Sequence, residues 1–196
     1  MNASPIEPQR LQTLNRARCR PDGEHVLYWM QGSQREAFNP ALEHAIHRAN
    51  ELSLPLRVVF ALTADYPEAN LRHFRFMLEG LRETARHLGR RGIRFEIEPG
   101  DPAEVALRAS RRAALVVCDR GYLPSHRAWR ETLTQGATCL VEQVEGDVVV
   151  PVEVASERPE VAARTLRPRL LRHLSKFLKA VPRQEVAFPL EPGPEL

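Results

Sequence analysis

The chain has little cysteine, no long apolar run and none of the common phosphate-binding signatures, and each absence removes a class of function. Its 3 cysteines are widely spaced: Cys19 in a polar stretch, Cys118 and Cys139 inside apolar, strand-like runs. An odd count at that spacing makes neither a disulfide framework nor a zinc site, so buried free thiols are expected. No apolar run approaches the roughly 20 residues needed to cross a bilayer, and Met1 to Arg10 lack the apolar stretch of a secretory signal. The reading is a cytoplasmic protein without membrane contact. No G-x-G-x-x-G follows the first predicted strand, which excludes a dinucleotide held in the usual way, and no Walker A motif is present. Ser33 and Ser125 lack a nucleophile-elbow context. His44 and His47 stand three apart on a predicted helix but among charged residues, which points to a solvated surface rather than a metal pair.

What is present is a regular alternation of apolar runs and amphipathic segments. Residues 1–24 are rich in Arg, Pro and Asn, show little periodicity and read as an arm. His25 to Gln31 is a short apolar run suited to a strand buried on both faces. Asn39 and Pro40 look like an N-cap and a proline at the first helical position, followed by Leu42, Ala45, Ile46 and Ala49 on one helix face. Leu56 to Leu62 is a second buried strand. Asn70 to Arg91 is the longest helix: Leu71, Phe74, Met77, Leu78, Leu81, Ala85 and Leu88 take one side, and Gly92 ends it. Phe76 falls on the wrong side of that helix, beside Gly80, and is expected to be more exposed than Phe74 or Leu81.

Ile93 to Glu98 alternates apolar and charged residues like an edge strand. Pro102 to Ser110 is a short helix. Ala113 to Cys118 is a strongly apolar strand, a helix runs through Ala128, Trp129 and Leu133, and Thr138 to Val144 is the last strand. This order predicts an α/β, Rossmann-like fold over residues 25–150, with a five-stranded parallel sheet in the order 3-2-1-4-5 flanked by helices. A linker (151–165), a basic amphipathic helix (166–180) and a Pro-rich tail (181–196) follow.

In such sheets ligands lie beyond the carboxyl ends of the strands, where the strand order reverses. The loops at that place are Gly32-Ser33-Gln34-Arg35 and Asp119-Arg120-Gly121-Tyr122, which offer two arginines, an acid, amides and a ring. The plainer reading makes Asp119 and Arg120 a helix cap and its ion pair. Net charge is only +3, yet the stretch from Glu157 to Arg183 is basic, with Arg169, Arg172, Lys176 and Lys179 on one stripe of the predicted helix. That stripe can attract DNA weakly or an acidic partner surface.

Four long strings, VLYWMQGSQREAFNPALEHAI, PLRVVFALTADYPEANLRHFRFMLEGL, LVVCDRGYLPSHRAWRE and VEGDVVVPVEVASERPEVAARTLRPRL, resemble in order and spacing the N-terminal half of class II cyclobutane-pyrimidine-dimer photolyases. The resemblance covers roughly His25 to Leu178. It implies a Rossmann-like domain that carries an antenna pigment, a deazaflavin or a folate, ahead of a helical FAD-binding domain that repairs dimers with light. By position it puts Gln31, Gln34, Arg35 and Asn39 near the pigment. Only Trp29 and Trp129 are present, so the family's tryptophan relay to the flavin is not expected in this chain, nor is FAD itself. The helical domain would be missing or supplied by a separate chain. Two other readings stay open: a small nucleotide-binding module of the electron-transfer-flavoprotein or stress-protein type, and a docking domain for a helical partner.

Overall fold

The computed structural model describes residues 4–64, 66 and 68–193. Strands β2 (His25–Trp29), β3 (Leu56–Leu62), β4 (Arg94–Pro99), β5 (Ala113–Asp119) and β6 (Leu140–Val144) alternate with helices α1 (Pro40–Leu52), α2 (Leu71–Arg90), α3 (Pro102–Ser110) and α4 (Pro124–Gly136). A further strand, β1 (Leu11–Thr13), pairs antiparallel with β6, whereas every other pairing is parallel. The order across the sheet is β1-β6-β5-β2-β3-β4. The expectation of five strands, all parallel, is therefore corrected to six with one antiparallel edge.

The extra strand comes from the stretch read as an arm. Three residues are too few to show a period, and what holds them is distant: Leu11 stands opposite Val144, and Leu14 N–H donates to Val141 O at 2.8 Å. Arg10 fastens the same segment. Its guanidinium donates to the carbonyls of Glu145, Val148 and Val149 at 2.9, 2.8 and 2.6 Å and lies over the Phe177 ring.

The central strands β2 and β5 are buried along their whole length. Successive side chains point to opposite faces. Tyr28 and Met30 join Leu42, Ile46, Leu81 and Leu88 under α1 and α2; Leu27 and Trp29 join Val105, Val116, Cys118 and Leu133 under α3 and α4. Asn39 caps α1 as its sequence suggests, accepting from Leu42 N–H at 3.0 Å. Gly92 follows α2 with φ +73°, the left-handed region that a side chain resists.

Three expectations change. His44 and His47 are buried, not solvated: His44 Nε2 meets Glu142 of β6 at 2.9 Å, and its Nδ1 meets Ser4 Oγ at 3.1 Å. Leu71, placed on the core face of α2, is 83% exposed. The linker contains the one-turn helix α5 (Val152–Ala155), and the last helix, α6, spans Ala163–Phe177 instead of 166–180. It starts early because Ala162 O takes the first-turn N–H of Leu166 at 3.2 Å.

Residues 181–193 form no helix and run back as a strap. Gln184 N–H donates to Glu43 Oε2, Asn50 bonds both Glu185 O and Ala187 N–H, and Leu190 N–H donates to Gly92 O at 2.7 Å. Pro194, included in the predicted tail, lies outside the described residues.

Candidate functional site

The strand order reverses beside β2, with β3 on one side and β5 on the other, and a crevice opens beyond the carboxyl ends of β2 and β3. Asp119, the last residue of β5, organises it. Its carboxylate accepts from Tyr28 O–H at 2.9 Å and from the backbone N–H groups of Gln31, Gly32 and Ser33 at 2.9, 2.8 and 3.3 Å. Burial pushes its pKa up, and the three N–H groups offset part of that rise by favouring the carboxylate. Tyr28 is pushed well above its ordinary range by burial and by the adjacent Asp119 charge, so it remains a neutral donor. Asn39 grips the same loop from the other end, donating to Ser33 O and Arg35 O at 2.9 and 3.1 Å.

The loop so held walls a cavity of about 390 Å³, open to solvent. Trp29, Met30, Gln31, Gly32 and Gln34 form one side; Phe60 to Thr63 at the end of β3 form the floor. Phe74, Met77 and His73 of α2 face His126 and Trp129 of α4 across it. The His126 and Trp129 rings stack, with centroids 5.4 Å apart and planes at 29°. His126 is held below its ordinary range by burial and then by nearby Arg130, so it is neutral at neutral pH. Among the described residues, no Asp, Glu, Lys or Arg lines the cavity. The side-chain amide of Gln31 and the indole N–H of Trp29 are buried there without a hydrogen-bond partner among those residues. Flat aromatic walls, no charge and unsatisfied amide-type polarity suit a planar, uncharged ring system with polar edges.

The structure thus divides the predicted site residues. Gln31 and Gln34 reach the cavity wall. Asn39 and Asp119 lie behind it and shape the loop. Arg35 is exposed, with Nε donating to Phe38 O at 3.3 Å, and does not line the cavity. Arg120 and Tyr122 turn away: Arg120 pairs with Glu153 and lies 3.5 Å from Glu145, and Tyr122 O–H bonds Glu145. They tie α5 to the sheet. Asp119 is not a helix cap either, since the residue before α4 is Leu123 and carries no capping side chain. Sequence reading missed the ring pair His126 and Trp129, whose three-residue spacing on a helix was the available signal. On α6, Arg169 is taken up by Glu160 at 3.0 Å, Lys176 lies over Phe177 and Arg172 is exposed; Lys179, expected on the same stripe, is exposed beyond the helix's end.

Comparison with known proteins gives the family. The DNA photolyase family model matches residues 26–187. A deoxyribodipyrimidine photo-lyase of Methanothermobacter thermautotrophicus is 42% identical over 193 residues, covering 97% of this chain and 43% of that protein. One from Potorous tridactylus is 33% identical over 160 residues, covering 80% and 30%. The crystal structure of a photolyase from Sulfolobus tokodaii superposes with a TM-score of 0.65 at 15% identity, over 87% of this chain and 38% of that one. The chain belongs to the DNA photolyase family and corresponds to its N-terminal domain. It spans less than half the length of these relatives. Among the described residues no helix is long and apolar enough to cross a membrane, and no group of three metal-ligating side chains occurs.

Proposed function

We propose that this chain is the pigment-carrying domain of a class II photolyase, a cytoplasmic protein that repairs pyrimidine dimers in DNA, and that the pigment occupies the cavity beside Gln31 and Trp129. The observation that carries the reading is the uncharged, aromatic-walled crevice at the carboxyl ends of β2 and β3. Gln31, Gln34, His126 and Trp129 would hold the pigment; Asp119, Tyr28 and Asn39 keep the loop that presents Gln31 and Gln34 in place. A deazaflavin or a folate presents a flat ring with amide-like edges, which these groups fit. When bound, such a pigment supplies light absorption, passed on to a flavin. Dimer splitting belongs to that flavin, held in a helical domain that is the expected partner. The exposed Arg172 and Lys179 add weak, salt-sensitive attraction to DNA.

The reading is tested by titrating residues 1–196 with a 5-deazaflavin riboside, a folate and, because the Sulfolobus tokodaii structure carries two FAD molecules, riboflavin. Binding should quench the ligand's fluorescence. Trp129→Ala should weaken it roughly tenfold, the loss of about 1.4 kcal/mol of ring contact, and Gln31→Ala by a similar amount. Arg35→Ala should have little effect. Binding untouched by both Trp129→Ala and Gln31→Ala would place the pigment elsewhere. On its own this chain should release FAD on gel filtration and leave dimers unrepaired under blue light; light-dependent repair would overturn the division of labour.

A further inference from the structure

One wall of the cavity differs from the others. Helix α2 is anchored most firmly along its second half, where Leu81 and Leu88 are 1% and 0% exposed. The first half, Leu71 to Glu79, touches the molecule through Phe74, Met77 and Leu78, all half-buried: Phe74 and Met77 line the cavity, and Met77 and Leu78 rest against the edge of the core. Its outer side is uncovered, with Phe76 81% exposed. Gly80 stands at the boundary between the two halves.

A glycine inside a helix weakens it by about 1 kcal/mol relative to alanine. It is retained where the backbone must turn left-handed or where another chain comes too close for a side chain. Neither applies at Gly80: its backbone is helical, and a Cβ there would meet nothing within 4 Å. The residue therefore lowers the stiffness of α2 at one place without a packing return. The segment before it is a self-contained helical unit. Asn70 accepts the N–H groups of Arg72 and His73 at 3.1 and 3.4 Å, and His73 Nδ1 accepts Asn70 N–H at 3.2 Å. It can move as one piece.

We propose that residues 71–79 form a movable wall that swings about Gly80, opening the cavity to admit a planar ligand and closing Phe74, Met77 and His73 onto it. The inference rests on the pigment-site reading for its ligand, but the motion belongs to the free protein. In a site of this kind ligand exchange is gated by the wall, so the rates of entry and exit both follow its opening.

Hydrogen–deuterium exchange of the ligand-free chain decides the motion. Amides of 74–79 should exchange at least tenfold faster than those of 84–88, and Gly80→Ala should slow the former roughly fivefold, the factor that about 1 kcal/mol of added helix stability gives. Gly89→Ala, a control whose added Cβ would meet Pro192 at an ordinary 3.4 Å, stiffens the anchored half and should leave 74–79 unchanged. Stopped-flow with the 5-deazaflavin riboside should then show Gly80→Ala slowing association and dissociation by similar factors with little change in Kd. Equal protection of the two halves would overturn the hinge, as would an equal effect of Gly89→Ala. Failure of the riboside to bind the wild-type chain would count against the pigment reading alone, since the exchange experiment contains no ligand.

Discussion

The sheet body and the α5–α6 unit both rely on leucine, valine and arginine, yet they are held in different ways. In the body, each face of β2 and β5 packs against two helices, and residues as large as Trp29 and Tyr28 are completely buried. In the α5–α6 unit the buried cluster is Val150, Ala155 and Phe177, and Leu171 and Leu178 remain 57% and 64% exposed although they follow the same apolar stripe. Helical periodicity states which side of a helix prefers cover. Only the presence of a second surface supplies it. Pro168 inside α6 removes one backbone bond as well, so that helix depends on few contacts.

The sharpest way to break this contrast is to attack the polar centre of the body. Asp119→Ala leaves the Tyr28 hydroxyl and the N–H groups of Gln31, Gly32 and Ser33 without their acceptor. Global stability should fall by about 3–5 kcal/mol in urea unfolding, with Asp119→Asn intermediate. A loss below about 1 kcal/mol would mean that the loop is held by something else.

Acid should act on the body next. His25, buried at the start of β2, has its pKa lowered to about 4 by burial and then by Arg57, against an ordinary 6.5. The unfolded chain therefore takes up a proton below about pH 6.5 that the folded chain refuses until about pH 4. This contribution is fully present above pH 6.5 and is lost as pH falls toward 4, by about 3 kcal/mol at most. His25→Gln should flatten that part of the stability–pH curve, and a curve of unchanged slope would remove His25 as its cause.

The α5–α6 unit should answer locally. Phe177→Ala should lower the protection of α6 amides by about 2 kcal/mol in hydrogen exchange while shifting the urea midpoint of the body by less than about 1 kcal/mol. Equal effects in both regions would show them to be one cooperative unit. The smallest change concerns charge: Arg172→Ala with Lys179→Ala should reduce the dependence of log K for DNA on log salt by about 1–2. Identical slopes would take that face out of DNA contact.

Much of the body was legible because its signals are local. Leu56–Leu62 and Pro102–Ser110 begin and end where their residues say, and Asn39 caps the helix it precedes. Phe76 is more exposed than Phe74 and Leu81, as the wheel required. Legibility failed where a residue's partner is far along the chain. His44 reads as a surface histidine until Glu142 is placed against it, and Arg120 and Tyr122 read as ligand contacts until Glu145 and Glu153 take them. The site was half legible for the same reason. The loop at Gln31 follows from topology, whereas the Trp129 wall depends on how α4 lies across the sheet.

The bonds from Arg10 to residues 145–149, together with the pairing of Leu11 and Val144, also set a timetable. On the ribosome, at about 5–20 residues per second, this segment emerges on the order of ten seconds before the strand it must join. Until then β6 does not exist, and Arg10 and Leu11 lack the residues they bond. The edge that closes the sheet thus forms after the strands that lie between β1 and β6 in the chain, although β1 is made before all of those strands.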